Sequence, residues 1–340
     1  MIATDGRAAA ERARAVMLEE GFGLCGVCVA EPSERGDEMA AWLAAGKHGE
    51  MGYLAEHMDK RLDVRRLIEE AEGGPARSVI VVADAYEAGP AGDGKAAAGR
   101  GRVARYARGD DYHRVMKKRL HAGADRLRAM FPGAVFKACV DTAPVMEREH
   151  AARAGLGWIG KHTLLIHPRH GSYLFLGVLV TTLALEPTGP DGAAPAAVEP
   201  DRCGTCTRCL DACPTACITP YSVDASRCIS YLTIEHRTAI AEELQPLMGD
   251  WLAGCDVCQE VCPWNGFDES AGEAPGYRVP LAVRPAYRPR TATLEAEAVA
   301  GWGEGDRRAA VRGSALKRIK LPMWRRNAEI AAGNQSDAAG

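Results

Sequence analysis

No apolar run in this sequence approaches the ~18 residues that a membrane-crossing helix requires. The longest, Tyr173 to Leu185, is shorter and has the β-branched content of a buried strand. The first residues, MIATDGRAAAERARAVML, hold neither an apolar signal core nor paired arginines, so no export or membrane association is expected and the chain reads as cytoplasmic. No G-x-G-x-x-G follows a strand, which removes support for a Rossmann-type flavin or nicotinamide site. Charge bias is missing too: 42 Lys and Arg against 45 Asp and Glu leave a net charge of −3. A polyanionic partner would need a local basic patch. What the chain does have is size and sulfur. At 340 residues, 47% hydrophobic, it exceeds one comfortable core, and two units are expected. Its twelve cysteines do not suit a secreted disulfide scaffold in a chain this long.

Cys203, Cys206, Cys209 and Cys213, followed by Pro214, spell C-x2-C-x2-C-x3-C-P. Three thiolates at that pitch wrap one corner of a cubane cluster, and the fourth reaches a second cluster. The complementary half is present: Cys228 alone, then Cys255, Cys258 and Cys262 before Pro263. Exchanging fourth ligands assigns Cys203, Cys206, Cys209 and Cys262 to one [4Fe–4S] cluster, and Cys213, Cys228, Cys255 and Cys258 to the other. A structural zinc site needs only four ligands, often with His; here eight thiolates are available and no His stands among them at ligand spacing. Cys217 is a surplus thiol expected on a helix, where packing explains it. Cys25 and Cys28 also form C-x2-C, but in the strand Phe22–Ala30 an odd separation sends their side chains to opposite faces. They read as core thiols.

Periodicity predicts helices over Ala8–Glu20, Glu38–Ala45, Tyr112–Met130 and Val145–Ala154, and strands at Ser78–Ala83, Val135–Val140, Leu164–Ile166 and Tyr173–Thr182. Met51 to Arg66 reads as loop and short helix, and Ala88 to Gly101 as a surface excursion. The stretch Arg102 to His113 is too polar for a core strand. Lys117, Lys118 and Arg119 are expected on an exposed helix face. Asp141 falls where a strand ends and a helix begins, a place for chemistry or for an N-cap. The loop Gly155–His162 carries three glycines that would let backbone approach a flat ligand. A Pro/Ala/Gly linker ends at Pro200. The expected units are therefore a catalytic α/β (α+β) domain at 1–186, a linker at 187–200, a ferredoxin-like cluster domain at 201–268 and an irregular segment with a short basic helical tail at 269–340. That tail holds Arg307, Arg308, Arg312, Lys317, Arg318, Lys320, Arg325 and Arg326 without an acid. It is either a nucleic-acid contact or a solvated helix.

Asp141-Thr-Ala-Pro-Val-Met-Glu147-Arg148, Gly157-Trp-Ile-Gly-Lys161, Gly171 to Gly177, Cys228 to Glu235 and Gly254 to Asn265 closely resemble the epoxyqueuosine reductase family, and the likeness covers most of the chain. The resemblance implies a cobalamin-binding first domain, two [4Fe–4S] clusters, and reduction of the epoxide of epoxyqueuosine in a tRNA anticodon loop to queuosine, through cob(I)alamin fed by the clusters. It also implies an external low-potential electron donor; a monomer is expected. Asp141 maps onto the family's catalytic aspartate, whose carboxyl is expected to be raised toward neutrality by burial against the corrin. Corrin contacts are expected from Arg61, Arg105, Tyr106, Asp141, Trp158, Gly160, Lys161, Ser172, Arg227 and Asp256, and tRNA contacts from Lys317, Arg318 and Lys320. Reductive dehalogenases combine the same cofactors but usually carry a twin-arginine signal; a plain ferredoxin-like electron carrier is the other alternative.

Overall fold

Residues 5–69, 73–87, 94–194, 200–266 and 281–337 are described by a computed structural model. Part of the linker (195–199) and most of the segment just after the cysteines (267–280) lie outside the described residues. In chain order the first half runs α1 (Gly6–Glu19), β1 (Leu24–Val29), α2 (Gly36–Ala44), α3 (Met58–Leu62), β2 (Ser78–Ala85), β3 (Arg100–Val103), α4 (Tyr112–Met130), β4 (Phe136–Cys139), α5 (Glu147–Arg153), β5 (Trp158–Ile159), β6 (Leu165–Ile166) and β7 (Leu174–Thr181). The second half adds α6 (Arg208–Asp211), β8 (Ile218–Thr219), β9 (Ser222–Val223), α7 (Ile229–Ile234), β10 (Trp251–Ala253), α8 (Val257–Glu260), β11 (Thr293–Glu295), α9 (Ala296–Ala300), α10 (Glu304–Ala310) and α11 (Leu321–Asp337).

The principal sheet has the order β1-β2-β7-β4, antiparallel throughout. Every residue of β2 is buried, because helices cover both faces of the sheet. On one face α1 and α4 pack Ala13, Met17, Met116, Leu120 and Leu127 against Val27, Ile80 and Leu179. Each fully buried Leu there stabilises by about 1.5–3 kcal/mol relative to exposure. On the other face α5 and the segment around Val64 to Ile68 meet Leu24, Val79, Val81 and Val178. Cys25 belongs to the first core and Cys28 to the second, as an odd spacing in a strand demands.

Two readings of charge need correction. Arg119 does not lie on the exposed face of α4: it is 8% exposed, ion-paired with Asp84 and stacked on Phe22, while Lys117 and Lys118 are exposed. The polar stretch from Arg100 does form a strand. β3 lies between β10 and β11, and Arg102 is accommodated by Asp250 at 2.6 Å and by the Trp251 ring at 3.9 Å.

The basic tail is helical, as its composition suggested, but it is not a solvated helix. Leu316, Ile319, Met323, Trp324, Ala328 and Ala331 are buried against Val103, Leu252 and Ala253. Several of its cations serve backbone carbonyls: Arg307 donates to Ile319 and Lys317, Arg325 to Trp302, and Arg326 to Leu232, His236 and Thr238. Much of the basic composition is thus consumed inside the fold.

Candidate active site

The cysteines sort into two groups in space. Cys262 lies within electrostatic reach of Cys203, Cys206 and Cys209, far earlier in the chain. Cys258 lies within reach of Cys213 and Cys228, and Cys255 of Cys228 and Cys258. Cys258 also senses Cys209, so the groups adjoin. These are the two sets that exchanged fourth ligands require, and the thiols present fit two clusters. Among the described residues no three His, Cys, Asp or Glu side chains close on a single-ion site. Cys217 precedes β8 instead of riding a helix; it is buried, with its Sγ 3.4 Å from that of Cys213.

Asp141 follows β4 with φ at +54°, in the left-handed region that aspartate tolerates better than most residues. It does not cap the next helix: the N-cap of α5 is Met146, without a side-chain cap. The carboxylate is free for other work, and its side chain is 62% exposed. Its Oδ2 accepts a hydrogen bond from Tyr112 Oη at 2.8 Å and meets His113 Nε2 at 2.9 Å. Tyr112 is held by stacking on Phe175, 4.3 Å away and nearly parallel. His113 Nδ1 lies 2.8 Å from Asp111 Oδ1, and Asp111 Oδ2 accepts from Lys317 Nζ at 2.5 Å. A chain of contacts thus runs from the tail to Asp141.

Without a ligand over it, Asp141 is governed by its own neighbours. Burial pushes the Asp141 carboxyl up, but hydrogen bonds from His113 and Tyr112 outweigh it and hold the acid below the ordinary aspartate range. Burial likewise pulls His113 down, and its bonds to Asp141 and Asp111 more than reverse that. Glu147, across the same turn, is pushed up to about 7 by burial and then by the Asp141 charge; its Oε1 is buried without a hydrogen-bond partner.

Other walls converge on this space. Tyr106 senses both Asp141 and Asp256. Tyr53 senses Glu235, Arg318, Asp141 and Arg61. Arg318 is ion-paired with Glu235 and lies over the Tyr53 ring at 5.3 Å; Arg61 Nε is buried without a partner. Tyr53 and Tyr106, with the unsatisfied donor Arg61 Nε and acceptor Glu147 Oε1, are groups near Asp141 suited to a broad ring bearing amide arms.

The other residues expected at the corrin make these contacts within the protein. Lys161 Nζ donates to the carbonyls of Gly204 at 2.6 Å and Cys206 at 3.0 Å, clamping the first cysteine loop. Trp158 packs with Cys262, Cys203 and Trp264. Gly160 and Gly157 serve tight packing, since a Cβ would lie 2.4 Å from Ile166 Cδ1 and 2.0 Å from Ile166 O respectively. Ser172 Oγ donates to Gln259 at 2.9 Å and accepts from Asn265 at 2.8 Å, tying β7 to the second cysteine loop. Asp256, 1% exposed, accepts from the backbone N–H of Arg105 at 2.7 Å, and Arg105 pairs with Glu87 at 2.9 Å. Arg227 is exposed and donates to Thr215 O at 3.4 Å. Of the tail cations, Lys317 and Arg318 are paired with Asp111 and Glu235, and Lys320 is exposed.

Residues 61–142 match the family described as epoxyqueuosine reductase QueG, DUF1730, and residues 202–265 match a 4Fe-4S double cluster binding domain. The chain is 40% identical over 321 residues to an epoxyqueuosine reductase of Pseudomonas aeruginosa, covering 93% of this chain and 82% of the relative. The chain belongs to the epoxyqueuosine reductase family. A Synechocystis epoxyqueuosine reductase is 39% identical, with 91% of this chain and 99% of the relative covered. An epoxyqueuosine reductase crystallised with an epoxyqueuosine-modified tRNA-Tyr stem loop superposes with a TM-score of 0.82 at 27% identity, covering 98% of this chain and 84% of that one. Another, from Bacillus subtilis, superposes with a TM-score of 0.81 at 26% identity over the same shares, and was solved with its aspartate catalytic loop swung out of the active site. Within this family fold, sequence reasoning missed Tyr53, His113, Glu147 and Glu235 as crevice residues. Only the Asp111-x-His113 pair left a local trace, as the N-cap of α4.

Proposed function

We propose that this chain reduces the epoxide of epoxyqueuosine in tRNA to the alkene of queuosine, the last step of queuosine biosynthesis, with cobalamin and two [4Fe–4S] clusters. The observation that carries the reading is the placing of Asp141: it is clasped by Tyr112 and His113, and Tyr106, whose phenol feels its charge, packs beside Cys228 and Cys255 of the second thiol group. The first cluster takes Cys203, Cys206, Cys209 and Cys262; the second takes Cys213, Cys228, Cys255 and Cys258. Tyr106, Tyr53 and Arg61 would hold cobalamin beside Asp141. When bound, it supplies the epoxide carbon with electrons drawn singly from the clusters. The balance is epoxide plus two electrons and two protons to alkene plus water. Asp141 delivers protons to the departing oxygen. Arg318, fixed by Glu235, holds Tyr53 at the mouth, and a base in a single-stranded loop leaves its stack cheaply. An external low-potential donor supplies the electrons, and the protein works as a cytoplasmic monomer. Among the described residues no helix is long and apolar enough to cross a membrane.

The test is anaerobic purification followed by metal analysis and nucleoside mass spectrometry of treated tRNA. The expected result is about eight irons and one cobalt per chain, with epoxyqueuosine converted to queuosine. Iron without cobalt would leave an electron carrier. Reduction of an organohalide but not of the modified tRNA would replace the substrate.

A further inference from the structure

The reaction proposed above consumes two protons, and the present inference rests on that reading. Asp141 carries one proton at most, so something must recharge it while substrate covers the crevice. Its nearest neighbours narrow the choice. Tyr112 is a phenol whose proton burial and the Asp141 charge hold tightly. His113 is the other contact, 2.9 Å from Oδ2 through Nε2. Its opposite nitrogen meets Asp111, 3% exposed, which Lys317 holds from the tail. A ring between two carboxylates favours its charged form.

We infer that His113 is the proton store behind Asp141. The Nε2–H bond of the imidazolium breaks as an O–H bond forms on the Asp141 carboxylate. Asp141 then passes that proton to the departing oxygen, leaving the ring neutral with its Nδ1–H still bonded to Asp111. The ring's side chain keeps 29% exposure, enough to regain a proton from solvent and serve a second transfer. His113 acts through Asp141 and is a positioning residue in that sense. The groups facing it are Asp111 and Tyr112 from α4, Asp141 from the β4–α5 turn and, through Asp111, Lys317 from the tail. Arg148 and Glu147 act on Asp141 from α5. The ordering of charge follows from geometry: Lys317 keeps Asp111 ionised, Asp111 fixes the ring, and the ring faces Asp141.

His113→Gln replaces a titrating ring by an amide. Asp111→Asn keeps the N-cap oxygen and removes the charge at Nδ1. Both are examined as holoenzyme, by the pH dependence of kcat and by nitrogen NMR of His113 in the wild type, Asp111→Asn and Asp141→Asn. His113 should titrate above the ordinary 6.5 in the wild type and lower in both carboxamide variants. His113→Gln should lose about 10- to 100-fold in kcat with KM within about twofold, and lose the fall in rate as pH rises. Asp111→Asn should move that fall to lower pH. A His113→Gln enzyme with unchanged kcat and pH profile, or a His113 titration indifferent to Asp141→Asn, overturns the inference. If wild-type protein with full iron and cobalt does not reduce the tRNA, the substrate reading fails by itself. The His113 titration still upholds or overturns its coupling to Asp141.

Discussion

Two carboxylates stand at the two ends of one short connection, and they are opposites. Asp141, just after β4, is 62% exposed on its side chain, takes hydrogen bonds from a phenol and an imidazole, and lies below the ordinary aspartate range. Glu147 opens α5, has Oε1 buried without a partner, and is pushed up to about 7. Burial pushes both acids the same way. Side-chain donors decide the outcome: Tyr112 and His113 meet Asp141, while the backbone N–H groups that favour the Glu147 anion do not offset its burial and the Asp141 charge. In the proposed reaction Asp141 is therefore an acid whose donors favour its ionised form and which His113 supplies from behind. Glu147 is the acid in which burial, helped by the Asp141 charge, prevails.

Breaking the contrast at Asp141 should have the largest effect. Asp141→Asn keeps shape, and both donors keep an oxygen to address. Turnover of epoxyqueuosine tRNA should fall by about 10²–10⁴-fold, with iron and cobalt content unchanged; near-normal turnover would leave Asp141 only a structural place. A smaller effect belongs to the tail. Of the three cations expected to meet tRNA, Lys317 and Arg318 are engaged by Asp111 and Glu235, and Lys320 is exposed. Lys320→Gln should weaken tRNA binding a few-fold and lower the salt slope by about one, and binding indifferent to it would remove Lys320 from the tRNA interface. The smallest effect belongs to Glu147→Gln, since Gln resembles the protonated acid: turnover near neutral pH should stay within about twofold. Its signature is in stability. Glu147 binds its proton more tightly folded than unfolded, so its contribution is full below the ordinary 4.5 and lost as pH rises through about 7. The variant's Tm should fall less than the wild type's between pH 5 and 8.

The contrast also explains what the sequence could tell. Cysteine spacing is local, so both sets of four are legible, and α4 begins and ends where its periodicity says, at Tyr112 and Met130. The crevice is not local. His113 meets Asp141 and, through Asp111, Lys317 only after folding, and no spacing announces that. Cations misled for a related reason. Arg102 and Arg119 read as surface groups, yet each is held by a distant acid or ring. Glycines have a packing use that spacing does not show: Gly157 and Gly160 admit Ile166 of β6.

The contrast between the two acids can be read directly. Carbon-13 NMR of the side-chain carboxyls, assigned by loss of signal in Asp141→Asn and Glu147→Gln, follows each acid through its titration in the holoenzyme. The account predicts that Asp141 titrates below the ordinary aspartate value while Glu147 titrates near 7. An Asp141 carboxyl that stays protonated at neutral pH would contradict it, and would return the proton to Asp141 itself.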